Sequence, residues 1–321
     1  MMAIRLVELQ RVLKPTGSIY LHCDPTTGHY LKILMDAVFG PKNFRNEMIW
    51  KRSTAHSDTR QGSRQAGRVH DVLLFYTNSN EWTWNPIHVV YDASYVGSHY
   101  RHVDEATGRR FRKDNLTAAK PGGDTRYEWR IMRRSGNSEW QADLDNEWET
   151  PNSGWEYRGV LPYANRYWAY SRENMARYAR EGRIVHTRTG TPEYKRYVDE
   201  MPGVHLQDVW TDLDPINSQA QERLGYPTQK PLALLERIIA ASSNPGDIVL
   251  DPFCGCGTAV HAAQKLGRQW IGIDVTHLAI SLIRRRMEDA FPGLGVNVIG
   301  EPVDLGGAKE LAEKDKYQFQ W

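Results

Sequence analysis

The sequence predicts an α/β fold in which a sheet presents a loop to a nucleotide-like ligand, and three observations carry that prediction. Ile248-Val249-Leu250 runs into Asp251 and then Pro252-Phe253-Cys254-Gly255-Cys256-Gly257-Thr258, a strand closed by a tight Gly-rich loop under a helix, Ala259 to Leu266. A second apolar strand, Gln269 to Ile273, follows at once and ends in Asp274. Near the start of the chain a helix, a strand and a helix succeed one another at Met1 to Leu13, Ser18 to Cys23 and His29 to Phe39. Glycines let a ligand approach the backbone, and ligands of open α/β sheets sit outside the carboxyl ends of the strands. An acid at the end of the next strand can accept from both hydroxyls of a ribose, so the loop reads as a nucleoside site.

Size and composition set the bounds. A chain of 321 residues with a 40% hydrophobic share can build one large core or two smaller ones. The net charge of +2 is uninformative, because opposite charges are segregated along the chain. Cys23, Cys254 and Cys256 make no zinc spacing and suit a reducing cytoplasm as small buried apolar residues. No apolar run reaches the ~20 residues of a membrane span, and Met1 to Lys14 has no signal-peptide core, which predicts a soluble cytoplasmic protein without membrane contact.

The first helix carries Ile4, Leu6, Val7, Leu9, Val12 and Leu13 at helical spacing and stops at Lys14-Pro15-Thr16-Gly17. The strand Ser18 to Cys23 ends at Asp24-Pro25, where Asp24 reads as a cap for the helix ending at Gly40-Pro41. Ser53 to Gly67 is polar and without period, a loop bearing Arg60, Arg64 and His56, with Arg52 and Arg68 at its ends, suited to phosphate or solvent alike. Val69 to Thr77 is a strand with His70-Asp71 near its start.

From Asn78 to about Asp212 the chain is irregular. Trp82, Trp84, Trp129, Trp140, Trp148, Trp155 and Trp168 fall here, and Arg101 to Arg134 holds ten basic residues against five acids. The dense points are Arg109, Arg110, Arg112 and Lys113, then Arg133 and Arg134, the candidate DNA-binding residues. Ser135 to Tyr157 holds six acids and no base, which places it away from DNA or paired with the basic segment when DNA is absent. Any single tryptophan reads more simply as part of a small local core. Ser171 caps a helix from Arg172 to Gly182, and a strand follows at Gly182 to Val185.

Leu206 to Asp212 leads back through Ile216-Asn217-Ser218 to Tyr226-Pro227-Thr228-Gln229-Lys230-Pro231, then a helix from Leu232 to Ala241 and the Gly-rich strand. After Asp274 a helix, Thr276 to Met287, carries Arg284-Arg285-Arg286, read as a charge cluster at its C-terminal end. Val296 to Val303 reads as a third strand and 304–321 as a tail.

Three ordered matches carry a family resemblance. The Asp251-Pro252-Phe253 loop with Gly255, Gly257 and Thr258 resembles the D-P-F-x-G-x-G-T motif of the amino-methylating DNA methyltransferases. Thr228-Gln229-Lys230-Pro231 resembles their T-Q-K-P segment, set on a helix before the Gly-rich strand. Leu13-Lys14-Pro15 through His22, with Phe44 to Trp50, is similar to the segment after their catalytic motif. This order resembles the permuted class called β. The loop has neither the third glycine of a dinucleotide fingerprint nor the Lys-Ser/Thr of a P-loop.

The resemblance implies a Rossmann-like, S-adenosylmethionine-dependent methyltransferase sheet with a large inserted target-recognition region. Its segments would be 1–77 and 213–303 for the α/β domain and 78–212 for recognition. S-adenosyl-L-methionine would be held by Asp251, Phe253, Gly255, Gly257 and Thr258, with Asp274 on the ribose and Thr228, Lys230 and Pro231 beside its carboxylate. The implied reaction is methyl transfer to adenine N6 in double-stranded DNA, with cytosine N4 as alternative and neither metal nor covalent intermediate. A cognate restriction nuclease and a homodimer are partners that the resemblance leaves open.

One family element is missing. The catalytic tetrapeptide, Asp/Asn/Ser-Pro-Pro-aromatic, occurs nowhere in the chain. Met1-Met2 falls inside a family helix, so the resemblance reads the chain as N-terminally shortened, and it leaves a non-catalytic DNA- and cofactor-binding module as the competing reading. In the family that tetrapeptide lies on a middle strand, whose loss would leave a gap with unpaired backbone groups on both sides, a cost that a marginally stable protein does not easily tolerate.

Overall fold

The computed structural model describes residues 2–53, 64, 66–217 and 219–300. Arg60 and His56 of the polar stretch, residues 301–303 of the expected third strand and the 304–321 tail lie outside the described residues. The chain divides into two compact units, Met1–Ile87 with His205–Trp321 and, inserted between them, His88–Val204. In chain order the first part holds α1 (Met2–Val12), β1 (Ser18–Cys23), α2 (Gly28–Phe39), β2 (Phe44–Lys51) and β3 (His70–Thr77). The inserted unit holds β4 (Arg110–Asn115), β5 (Trp129–Arg134), β6 (Gln141–Ala142), β7 (Trp155–Val160), α3 (Arg172–Arg180), β8 (Ile184–His186) and β9 (Pro192–Tyr197). The return holds β10 (Val209–Trp210), α4 (Leu232–Ser242), β11 (Ile248–Asp251), α5 (Thr258–Lys265), β12 (Gln269–Gly272) and α6 (His277–Ala290).

In the outer unit the strands run in the order β1-β3-β2-β10. β3 is central because its residues are apolar on both faces, and seven of its eight are buried. Period two sends Val72, Leu74 and Tyr76 into a core with Leu6, Met35 and Phe39 of α1 and α2. Leu73 and Phe75 point the other way, onto Met48, Trp50, Trp210 and Leu234 of α4. Truncating a fully buried side chain such as Leu74 to Ala would cost about 2–5 kcal/mol. Gly40, at φ +83, ends α2 by donating its amide to the Asp36 carbonyl, a backbone position that a Cβ disfavours.

β11 and β12 form a separate parallel pair, Ile248 opposite Gln269 through Asp251 opposite Gly272. α4 and α5 cover one face, where Ile239, Ala262 and Ala263 meet Val249 and Trp270. α6 adds Ile283 and Met287 against Cys254 and Val260. Ile248, Ile271 and Ile273 remain about half exposed, at 53%, 51% and 51%. Among the described residues β1 pairs only with β3 and β11 only with β12, so the described strands of this unit form two separate sheets.

The inserted unit has its own core of Leu116, Tyr127, Trp129, Ile131, Trp168 and Met175. Two small antiparallel sheets flank it, β7-β5-β6 and one in which β8, β9 and β4 are successive neighbours. Asp104 is buried there, and the Lys195 ammonium at 2.8 Å with the Tyr197 hydroxyl holds its carboxyl at about 2, against burial. Ser171 caps α3 as expected, its hydroxyl accepting from the Asn174 amide at 3.4 Å.

Three expectations are corrected. Residues 296–300 form no strand: they find no ladder partner among the described residues, Gly295 precedes them and Gly300 ends them, and Ile299 is exposed. Asp24 does not cap α2; its Oδ1 accepts from the Thr26 and Thr27 amides in a local turn, and Thr27 takes the cap position. Trp82 and Trp84 belong to the outer unit, not the insertion, because Trp84 stacks on Phe75 and Trp82 lies under the Arg45 guanidinium.

Candidate cofactor site

The Gly-rich loop is held at both ends by the backbone of the parallel pair. The Cys254 amide donates to the Ile273 carbonyl at 3.0 Å, and the Ile273 amide to the Asp251 carbonyl at 2.9 Å. Within the loop the Phe253 amide donates to Asp251 Oδ1 at 3.1 Å, and the Gly255 amide to Asp274 Oδ2 at 2.9 Å. Gly257 stands at φ +74 as the N-cap of α5, and a Cβ there would meet Ile283 at 2.6 Å. These contacts turn the strand sharply into the helix and aim the first amides of α5 past the strand end. Burial raises the Asp251 carboxyl above the usual range, the Phe253 amide opposes this, and the nearby Asp274 charge adds to the rise.

The Tyr226–Pro231 segment closes over this loop. A Cβ on Gly255 would lie 2.9 Å from the Tyr226 ring, so glycine is what lets the ring sit there. Gln229 locks the turn, accepting from the Leu224 amide at 2.9 Å and donating to the Glu222 carbonyl at 2.6 Å. Thr228 takes φ +66, a left-handed backbone uncommon for a β-branched residue. The four residues form a turn rather than part of a helix, as the family's segment would have it, and Pro231 caps α4, which starts at Leu232 as the sequence reading places it. Proline pre-sets the backbone and has no amide to satisfy, which fixes the boundary.

Lys230 does not stand free. Its ammonium lies 3.1 Å from Asp71 Oδ2, and the same carboxylate receives His22 Nε2 at 2.9 Å and has Arg52 Nε 2.8 Å from Oδ1. Burial lowers the His22 pKa more than Asp71 raises it, so the ring is neutral at pH 7 and donates through Nε2. Burial alone would raise the Asp71 carboxyl, but the His22 hydrogen bond and the Lys230 charge bring it below the usual carboxylate range. In the sequence Asp71 reads only as a residue near the start of a strand, and His22 as a strand-end residue that could face the site.

Arg286 is the other residue that sequence reasoning misplaces. It is not part of a solvated cluster but is 7% exposed beneath the loop. It donates to His261 Nδ1 at 3.1 Å, Thr258 Oγ1 at 3.0 Å and the Cys256 carbonyl at 3.3 Å. The signal is in the periodicity, since Ala279, Ile283, Arg286 and Met287 fall on one buried helical face. Thr258 is thus a buried support of the loop, whereas Phe253 is 45% exposed, with the Arg5 guanidinium 5.1 Å from its ring centre.

Most of the candidate DNA-binding cations are paired inside their own unit. Arg109 contacts Asp199 at 2.8 Å and Glu200 at 2.6 Å, Arg112 contacts Asp114 at 2.9 Å, and Lys113 lies 3.7 Å from Glu193. Arg133 contacts Glu156 at 2.6 Å and Arg130 contacts Glu149 at 3.2 Å, so the acidic stretch pairs with the basic one. Arg110 and Arg134 are exposed, Arg134 over the Trp155 ring at 5.6 Å.

No group of three or more His, Cys, Asp or Glu among the described residues could hold a metal ion, and no described helix is long and apolar enough to cross a membrane. The donor set suits S-adenosylmethionine instead: carboxylates at the ends of two adjacent parallel strands, an exposed aromatic ring in the loop and a lysine in the closing turn.

Comparison with known proteins finds relatives among the DNA methyltransferases. The type II methyltransferase M.EcaI of Enterobacter cloacae is 27% identical over 282 residues, 88% of this chain and 55% of that protein. M.HpaI of Haemophilus parainfluenzae is 43% identical over 101 residues, 32% of each chain. The DNA adenine methyltransferase YhdJ of Escherichia coli K12 is 48% identical over 83 residues, 26% of this chain and 28% of that one. The chain thus spans about half or less of the length of these curated relatives. Among solved structures, TTHA0409 of Thermus thermophilus with S-adenosyl-L-methionine has a TM-score of 0.46 at 14% identity, covering 94% of this chain and 82% of that one. The cytosine-N4-specific PvuII DNA methyltransferase has 0.43 at 10%, covering 99% and 78%. The DNA methylase family model of the N6/N4 methyltransferases, which are S-adenosylmethionine-dependent, matches residues 2–285, and the chain belongs to that family.

Proposed function

We propose that this chain binds S-adenosylmethionine at the loop from Asp251 to Thr258 and double-stranded DNA through the inserted unit, and serves methyl transfer to adenine N6. The observation that carries the reading is the Gly-rich loop tied to Asp274 and closed by the Tyr226–Pro231 turn. The bound cofactor supplies an electrophilic methyl group on a sulfonium. Asp274 holds the loop and, with Oδ1 taken by Thr276, keeps a lone pair on Oδ2 for a ribose hydroxyl, and Lys230 offers two further N–H donors to a carboxylate. Adenine over cytosine is supported by the likeness to YhdJ, named an adenine methyltransferase. A cognate nuclease as partner and a cytoplasmic location accord with the type II relatives.

A second reading is favoured by one observation. The described chain contains no tetrapeptide to orient the base amine, and β1 and β11 each have an unpaired edge among the described residues. On that reading the chain binds DNA and cofactor without methylating. The test is transfer of labelled methyl from S-adenosylmethionine to unmethylated duplex DNA, beside the Asp251→Ala, Asp274→Ala double variant. Label in N6-methyladenine that the variant loses supports the first reading. Cofactor and DNA binding with no transfer supports the second, and no cofactor binding overturns both.

A further inference from the structure

We propose that Asp71 is a positioning residue of the cofactor site: it anchors Lys230, and with it the turn that closes on the Gly-rich loop. The inference rests on the cofactor reading of that loop. Asp71 is 4% exposed and stands at the start of the central strand β3. Its two oxygens draw in groups from three separate parts of the chain: His22 at the end of β1, Arg52 just after β2, and Lys230 in the turn before α4. A buried carboxylate is costly unless paired, and this one is paired with two cations while His22 is neutral, so the cluster keeps one net positive charge.

That surplus gives the cluster its use. Asp71 accepts from one of the three N–H groups of the Lys230 ammonium and leaves two to donate elsewhere, so it orients the lysine while the cluster keeps its surplus positive charge. The Trp50 ring limits the swing of the ammonium, whose nitrogen is 5.8 Å from the ring centre. Four residues earlier Tyr226 covers Gly255, and between them Gln229 fastens the turn to Glu222 and Leu224. The anchor at Asp71 therefore holds one end of the segment whose other end closes the loop.

The test is a double-mutant cycle on S-adenosylmethionine affinity, by calorimetry on the full chain, with Asp71→Asn, Lys230→Gln and both. Each single change is expected to raise Kd about tenfold and the double change no more than about either alone, since groups acting as one unit are not additive. Unchanged affinity in Asp71→Asn, or additive losses, overturns the proposal. If the wild-type chain binds no cofactor, the reading of the loop itself falls. Should Asp71→Asn fail to fold, amide hydrogen exchange decides: residues 226–231 are expected to exchange faster in Lys230→Gln than in wild type, and equal rates overturn the anchor.

Discussion

The Gly255 amide donates to Asp274 Oδ2 at 2.9 Å, while Oδ1 of the same carboxylate accepts from the amide and hydroxyl of Thr276 at 2.9 and 2.8 Å. Asp274 is therefore a tie between the Gly-rich loop and the start of α6 before it meets any ligand. Asparagine can present only one accepting oxygen, so it must release either Gly255 or Thr276. Asp274→Asn is expected to weaken S-adenosylmethionine binding about tenfold and Asp274→Ala at least as much, as charged hydrogen bonds of about 1.5–3 kcal/mol are lost. Calorimetry that finds Asp274→Ala binding like the wild type would remove Asp274 from the site.

Gly257 tests whether the loop geometry is obligatory. Its φ of +74 disfavours any side chain, and a Cβ would press on Ile283 at 2.6 Å, a buried residue with no room to retreat. Gly257→Ala should destabilise the outer unit by about 1–3 kcal/mol and lower cofactor affinity together. Thermal unfolding with and without cofactor measures both; a stable variant that is stabilised by cofactor as much as wild type would show that the turn tolerates a Cβ.

How much of this can be read in the sequence follows from where the information lies. The loop from Asp251 to Thr258 is legible because its requirements are local: apolar strand, glycines, helix start. The strand read from Val69 to Thr77 is legible because its apolar run from Val72 to Tyr76 is continuous, as both faces of a central strand are buried. Asp71, Lys230 and His22 meet only after folding, and their separation along the chain hides the cluster. Arg286 is misread for a different reason: charge composition is weighed above the helical period that buries it. Residues 296–300 include strand-forming residues but pair with no strand among the described residues, and a strand needs a partner as well as a propensity.

His186 predicts an acid sensitivity in the inserted unit. Trp129 Nε1 donates to its Nε2 at 3.1 Å, and its Nδ1 donates to the Trp140 carbonyl at 3.1 Å, so the folded unit holds the neutral ring. Burial lowers its pKa from 6.5 to about 4, against the Trp140 hydrogen bond. Between those values the unfolded chain binds a proton that the folded one does not. The stabilising contribution is thus complete above pH 6.5 and is lost as pH falls toward 4, on the order of 2–3 kcal/mol. Urea unfolding of wild type and His186→Gln at about pH 7.5 and about pH 4.5 checks this: the variant should lose less stability on acidification, and equal losses would contradict it.

The pairing of Arg109, Arg112 and Arg133 with acids separates two kinds of arginine in the inserted unit. A guanidinium already bonded to Asp199 and Glu200, and stacked on Tyr197, must break those contacts before it can meet a phosphate. Arg110 and Arg134 are exposed and are paired with no acid among the described residues, so Arg110 has no ion pair to break and Arg134 only its contact with the Trp155 ring. Arg110→Ala and Arg134→Ala are each expected to weaken duplex binding on all sequences and to reduce the salt slope of log K by about 1, as for a lost phosphate contact. Arg109→Ala should instead lower thermal stability and leave that slope unchanged. Titrations at several salt concentrations decide between them, and a slope that falls only in Arg109→Ala would mean that the acidic partners are displaced by DNA.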